Sequence, residues 1–265
     1  MGIVRPVSLH TTGAVSIEDV FVIPDLDVAT LAKADLEVLV RMRNHTENPV
    51  SAEVLLNLQD AGECKLPVEL QAGEEKVFSF TPEQAAMLHL DNPRVWWTWD
   101  LGTPELYDLP VSLATAGTVS DTGNTTFGVR RIESRLTDKN YRQFTLNGKD
   151  VLIKGAGWTD DIFLLDTPES LAQQVAFVKD MNLNLIRFEN IWGKDDTIYD
   201  LCDREGLLAL VGWSCQWEWE DYCGLPEVKG YGCINGKEVE DLAVAYFHDQ
   251  GVRLHNHPSV LGWVN

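Results

Sequence analysis

At 265 residues, with 45% hydrophobic and 23% charged residues, the chain is long enough for one large domain or two medium ones and has the composition of a protein that buries a core. A formal charge of −20 and a pI near 4.5 argue against nucleic acid and anionic membrane surfaces as partners, because both would be repelled; a neutral or cationic ligand fits better. No apolar run reaches the roughly 18 residues of a membrane helix, and the opening residues lack a charged start followed by an apolar core, so neither a span nor a signal peptide is expected.

From Met1 to about Phe127 apolar and polar residues alternate in short runs broken by turn residues. Ala34 to Pro49 and Ser51 to Asp60 read as antiparallel strands, and further runs cover Glu74 to Phe80 and Glu105 to Ala114. With Asn-Pro, Ala-Gly and Thr-Gly breaks between them, they give about seven strands at the spacing of an immunoglobulin-like β-sandwich, expected over residues 1–127. Trp96, Trp97 and Trp99 fall in this half, where rings at neighbouring positions read as domain core or as a surface facing the second half.

After Gly128 the pattern changes to apolar runs alternating with amphipathic stretches, the signature of βα units on a parallel sheet. Val151 to Gly157 reads as a buried strand. Thr167 to Asn182 then reads as a helix, with a capping Thr, Pro at the first position and an acid in the first turn. Leu183 to Asn190 precedes a helix over about residues 194–205, and Leu207 to Trp213 precedes a long acidic, aromatic loop and a helix over about residues 239–256. A fourth strand is expected at Ser259 to Asn265. Four such strands, buried on both faces, make the first half of an eight-stranded barrel over residues 128–265, a truncated domain. The stretch Gly155 to Trp158 lacks the third glycine of a dinucleotide loop and opens no immediate helix, which argues against a nucleotide cofactor.

The five cysteines, Cys64, Cys202, Cys215, Cys223 and Cys233, are odd in number and contain no Cys-x-x-Cys pair, so buried thiols are expected rather than a disulfide framework or zinc site. A bridge from Cys223 to Cys233 stays open for an oxidising compartment. The six histidines show no metal-like spacing; His257, in a His-Pro pair, is expected to pack near the fourth strand. No metal and no cofactor are expected.

Five stretches in order carry a resemblance: Gly2 to Leu9, Trp96 to Leu109, Phe127 to Glu133, Phe144 to Trp158 and His255 to Asn265. They resemble, in turn, the segment leaving a sugar-binding jelly roll, the end of a sandwich, the Phe-Gly-x-Arg linker, the hairpin with the first barrel strand, and the lead-in to the fourth strand of family 2 glycoside hydrolases. Thr98 stands where Pro is common. The branch suggested is that of exo-β-glucosaminidases and β-mannosidases. The resemblance implies a retaining β-glycosidase acting on a non-reducing, β-linked glucosamine or mannose-type sugar, with carbohydrate as partner. It places the acid/base carboxylate three residues after Asn265 and the nucleophile further on, so this stretch carries neither catalytic carboxylate and is expected to be inactive. The compartment stays open, with secretion or the periplasm expected for the full-length parent.

Barrel sites form at the C-terminal ends of the strands, and the resemblance names candidates there. Asp161, in the turn after the first strand, is a sugar-hydroxyl or ammonium ligand, or a loop-capping carboxylate. Arg187 matches the family arginine in Asn-x-x-Arg, which orients the nucleophile; set in an apolar strand, it requires a carboxylate partner. Glu189, on the same side, is that partner or a sugar ligand. In the loop after the third strand, Trp213 resembles the family Trp of Gly-Trp-Glu, but Ser214 replaces the Glu, leaving Glu218 or Glu220 to substitute. That loop suits carbohydrate, with aromatic faces to stack and acids to accept from hydroxyls, or it packs beneath the barrel rim. The alternative reading is a non-catalytic sandwich module for carbohydrate or protein binding.

Overall fold

The computed structural model describes residues 7–161, 163, 165–189, 195–212 and 236–264. The chain forms two compact units. The first holds Val7–Trp97 and Gly102–Leu152; the second holds Thr98–Leu101 and the chain from Ile153 onward. Among the described residues no helix is long and apolar enough to cross a membrane.

The first unit opens with β1 (Val15–Leu26), β2 (Lys33–Asn44), β3 (Val50–Leu58), β4 (Gly62–Leu70), β5 (Glu75–Phe80) and the short β6 (His89–Asp91), followed by β7 (Tyr107–Thr115) and β8 (Thr118–Phe127). Two antiparallel sheets result, one ordered β1-β2-β5 with β6 also on β2, the other β4-β3-β7-β8. Strict alternation explains the layers: in β2 the buried set is Ala34, Leu36, Val38, Val40 and Met42, while the residues between them stay at the surface. These side chains share one core with Val54, Leu56 and Leu58 of β3 and Leu109, Val111 and Leu113 of β7. Each fully buried Val or Leu is worth about 1.5–3 kcal/mol of transfer free energy, which makes this core the main source of the unit's stability.

The same unit continues past Gly128 into a small antiparallel sheet ordered β11-β10-β9, formed by β9 (Ile132–Leu136), β10 (Arg142–Leu146) and β11 (Lys149–Val151). Asn147 and Gly148 turn the hairpin with φ of 50° and 80°, the left-handed pair that Asn-Gly favours. Buried Asn147 also accepts from Arg131 N at 2.7 Å and donates to Trp96 O at 2.9 Å. The continuous buried strand expected from Val151 to Gly157 is therefore split. Val151 ends β11, Leu152 is 78% exposed, and the first parallel strand begins only at Gly155. The apolar run misleads because its middle is a connection.

In the second unit β12 (Gly155–Trp158), β13 (Leu185–Phe188), β14 (Leu208–Gly212) and β15 (Val260–Val264) form a parallel sheet in chain order. Between them lie α1 (Pro168–Asp180), α2 (Thr197–Glu205) and α3 (Lys237–Leu254). The α1 terminus is capped as expected: Thr167 Oγ1 accepts from Ser170 N and Ser170 Oγ accepts from Thr167 N, with Pro168 at the first position. Helix α2 stops at Gly206, whose φ of 68° suits glycine. One sheet face is apolar. Ile186, Phe188, Ala209, Val211 and Val260 pack with Leu171 and Val175 of α1, Ile198, Tyr199 and Cys202 of α2 and Leu254 of α3.

Thr98–Leu101 contribute to this unit from far upstream. Trp99 Nε1 donates to Leu183 O at 2.9 Å and Trp99 N to Gly206 O at 3.0 Å. Asp100 accepts from Asn184 Nδ2 at 3.0 Å and pairs with Lys154 Nζ at 3.3 Å. Burial of Asp100 disfavours its charge, but hydrogen bonds from Thr98, Asn184 and Lys154 outweigh burial and hold its carboxyl below the usual range.

Candidate functional site

The second sheet face is differently made. Strand alternation puts Arg187 and Glu189 opposite Ile186 and Phe188, away from the helices. Gly157 lies beside Arg187 in register and Leu210 on its other flank. A Cβ on Gly157 would meet only Glu189 Oε1, at 3.8 Å, so Glu189 leans across a strand with no side chain there. A Cβ on Gly212 would overlap the Glu189 carbonyl carbon and oxygen, so the close passage of the two strands, and with it the place of Glu189, requires glycine at 212.

Arg187 Nη1 and Glu189 Oε1 are 3.8 Å apart, an ion pair without a hydrogen bond, with side chains 47% and 42% exposed. This corrects the premise that Arg187 lies in a fully apolar setting. Only the helix-facing side of β13 is dry, so the guanidinium keeps solvent and needs no carboxylate to survive. Glu189 is a loose neighbour, and the donors of Arg187 remain largely unused by it.

Asp161 lies in the turn after β12, and its Oδ1 accepts from Phe163 N at 2.9 Å and Leu165 N at 3.2 Å. Its own N–H donates to Asp166 Oδ2 at 3.2 Å. The loop-capping role is thus present; Oδ2 makes no hydrogen bond among the described residues. Asp166 and Gln174, which sequence reading passed over, complete this region. Trp158 Nε1 donates to Gln174 Oε1 at 2.6 Å, and Gln174 Nε2 donates to Asp166 Oδ1 at 3.1 Å. Trp158 also meets Phe188 edge-on at 5.2 Å between centroids. Trp213 and Glu218, like Ser214, Glu220, Cys215, Cys223 and Cys233, lie outside the described residues.

Before β15, His257 Nδ1 and Asp203 Oδ2 are 2.6 Å apart, with side chains 12% and 7% exposed, and Asp203 Oδ1 accepts from Ser259 N at 3.0 Å. Burial works against the charged imidazolium. The hydrogen bond and charge of Asp203, with Asp200 and Asp196 nearby, prevail, and His257 titrates above the usual histidine value. Asp200, Asp203 and His257 bring three ligand-type atoms within 4.8 Å of one another, but Asp203 is already committed to His257 and Ser259, which makes the group a clamp on the lead-in to β15. Asn184 is a second clamp: Oδ1 accepts from Lys154 N at 2.8 Å, its carbonyl accepts from Leu208 N at 2.8 Å, and Nδ2 reaches Asp100. Its position in the Asn-x-x-Arg pattern was the available signal.

The described residues thus set an antiparallel sandwich before parallel βα units, with a guanidinium and acids at the strand C-termini. The chain is similar to glycoside hydrolase family 2 proteins in both units. Residues 15–130 match the model of "Glycosyl hydrolases family 2". The whole chain is 38% identical to an exo-β-D-glucosaminidase of Streptomyces avermitilis, covering 29% of that protein. It is 28% identical to a mannosylglycoprotein endo-β-mannosidase of Lilium longiflorum, over 99% of the chain and 28% of the relative. The crystal structure of the Amycolatopsis orientalis exo-chitosanase CsxA superposes with a TM-score of 0.83 at 31% identity, over 95% of the chain and 28% of that structure. The chain therefore spans under a third of the length of these relatives.

Proposed function

We propose that the chain is part of a retaining β-glycosidase that releases a non-reducing, β-linked sugar of glucosamine type, with mannose type second. The observation that carries this reading is the 38% identity to an exo-β-D-glucosaminidase across the full chain, both units included. In this reading the sandwich, residues 1–127, is immunoglobulin-like, and residues 128–265 begin a (β/α)8 barrel whose strand order β12-β13-β14-β15 supplies its first four strands. The acid/base carboxylate follows three residues after Asn265 and the nucleophile later, roughly 5–5.5 Å apart as retention requires.

The residues present bind and orient. Arg187, with donors left over from its loose pair with Glu189, fits a role in holding the nucleophilic carboxylate by charge-assisted hydrogen bonds. Asp161 offers Oδ2, which makes no hydrogen bond among the described residues, to a sugar ammonium or hydroxyl, Glu189 accepts from hydroxyls across Gly157, and the sequence adds Trp213 and Glu218 as candidate ligands. A non-catalytic sandwich module is disfavoured because similarity runs through the parallel unit as well as the sandwich.

The test is hydrolysis of p-nitrophenyl β-D-glucosaminide and β-D-mannoside by the full-length protein, with the anomer of the first product read by NMR. Release of the β-anomer first is expected. An α-anomer overturns retention, and no turnover of either substrate overturns the glycosidase reading.

A further inference from the structure

Gln174 has both ends of its amide engaged, by Trp158 at 2.6 Å and Asp166 at 3.1 Å. An indole N–H only donates and a carboxylate only accepts, so the amide has one orientation and joins the end of β12 to the loop that follows it. Asp166 continues the line: Oδ1 also accepts from Ser170 Oγ at 3.3 Å, and Oδ2 accepts from Asp161 N at 3.2 Å. Asp161 then holds the turn through Phe163 N and Leu165 N.

Among the described residues of this turn, Phe163 and Leu165 are 75% and 69% exposed, and hydrogen bonds to Asp161 and Asp166 hold the backbone. Trp158 and Gln174, by contrast, are partly buried; Gln174 sits on α1, and Trp158 packs on the apolar core. The firm end of the line is thus the helix and strand, and the soft end is the carboxylate turn.

We propose that Gln174 is a positioning residue for substrate binding: through Asp166 it fixes the turn that presents Asp161 Oδ2 to the sugar, an ammonium being the group best matched to it. This rests on the glycosidase reading above. A carboxylate on a loose turn would have to be ordered by each substrate, so loss of Gln174 weakens binding while leaving the chemical step alone.

The test is steady-state kinetics of the full-length protein on p-nitrophenyl β-D-glucosaminide and β-D-mannoside, comparing wild type, Gln174→Leu, Asp161→Ala and the double variant. Melting temperatures confirm that each is folded, and Gln174→Glu, which keeps an acceptor for Trp158 but sets a charge against Asp166, serves if the Leu variant does not fold. The expected result is a KM raised about tenfold in Gln174→Leu with kcat within about twofold, and no further loss when it is added to Asp161→Ala. Unchanged kinetics, a fall in kcat with KM unmoved, or losses that add to those of Asp161→Ala overturn the proposal. If Asp161→Ala itself matches wild type, the assignment of Asp161 fails and takes this inference with it; if wild type turns over neither substrate, the functional reading is what has failed.

Discussion

Arg187 and Glu189 stand on the open face of the parallel sheet too far apart for a hydrogen bond, and exposed pairs of this kind contribute about 0–1 kcal/mol. Arg187→Ala is therefore expected to change stability by less than about 0.5 kcal/mol in urea titration, yet, on the proposed function, to lower kcat/KM of the full-length protein at least about 100-fold by freeing the nucleophile it orients. A stability loss without a kinetic one would reassign it as a structural cation. Gly212 behaves oppositely. A methyl there collides with backbone, which cannot swing aside, so Gly212→Ala is expected to destabilise by about 1–3 kcal/mol and to displace Glu189. At this scale the sequence was informative where a strand dictates direction. Arg187 and Glu189 were placed on one side by alternation alone, whereas the Trp158–Gln174–Asp166 line joins three elements and exists only after they pack.

Among the elements, the lead-in to β15 carries a built-in pH response. His257 faces Asp203 and Asp200 of α2 and lies beside Tyr199, with Asp196 and Arg253 nearby. Its folded value is raised, so the imidazolium's contribution is fully present below the ordinary value of about 6.5 and is lost as pH rises through the folded value. Chemical denaturation across pH 6 to 9 is expected to show stability falling in this window. Asp203→Asn is expected to flatten that slope and cost about 1–3 kcal/mol at pH 6; an unchanged slope would show that His257 is not its source. The start of helix α1 was legible to the residue because it carries local chemistry, Thr167, Pro168 and Glu169, whereas its end came two residues short of the expected Asn182. The stretch from Val151 to Gly157 was not, because Asn147 and Gly148 close a hairpin that claims Val151 for pairing with Phe144, and periodicity cannot see pairing.

For the chain as a whole, the two units have different prospects when taken alone. The sandwich core is closed around residues such as Val38, Val54, Leu56 and Leu113, all fully buried. The parallel unit leaves Phe177 of α1, Met181 just after it, and Leu242 and Val244 of α3 between 61% and 70% exposed. Limited proteolysis is expected to leave a protected piece from the first 152 or so residues while later sites are cut; a resistant, cooperatively melting second unit would overturn the half-barrel reading. The 265-residue chain by itself is expected to show no hydrolysis of aryl β-glycosides above buffer, and turnover abolished by Arg187→Ala would show that the active site has been misplaced.

The four-residue contribution of Thr98–Leu101 has a consequence for synthesis. A ribosome delivers Trp99 and Asp100 more than fifty residues before Ile153, and their partners Leu183 and Asn184 later still. The parallel unit is thus discontinuous in the gene. A polypeptide begun at Ile153 would make Lys154 and Asn184 without the carboxylate that joins them, and would leave the Leu183 and Gly206 carbonyls without the donors Trp99 supplies. Supplying residues 98–101 in trans, as a short peptide carrying Trp99 and Asp100, is the complementation that such a truncated polypeptide would call for.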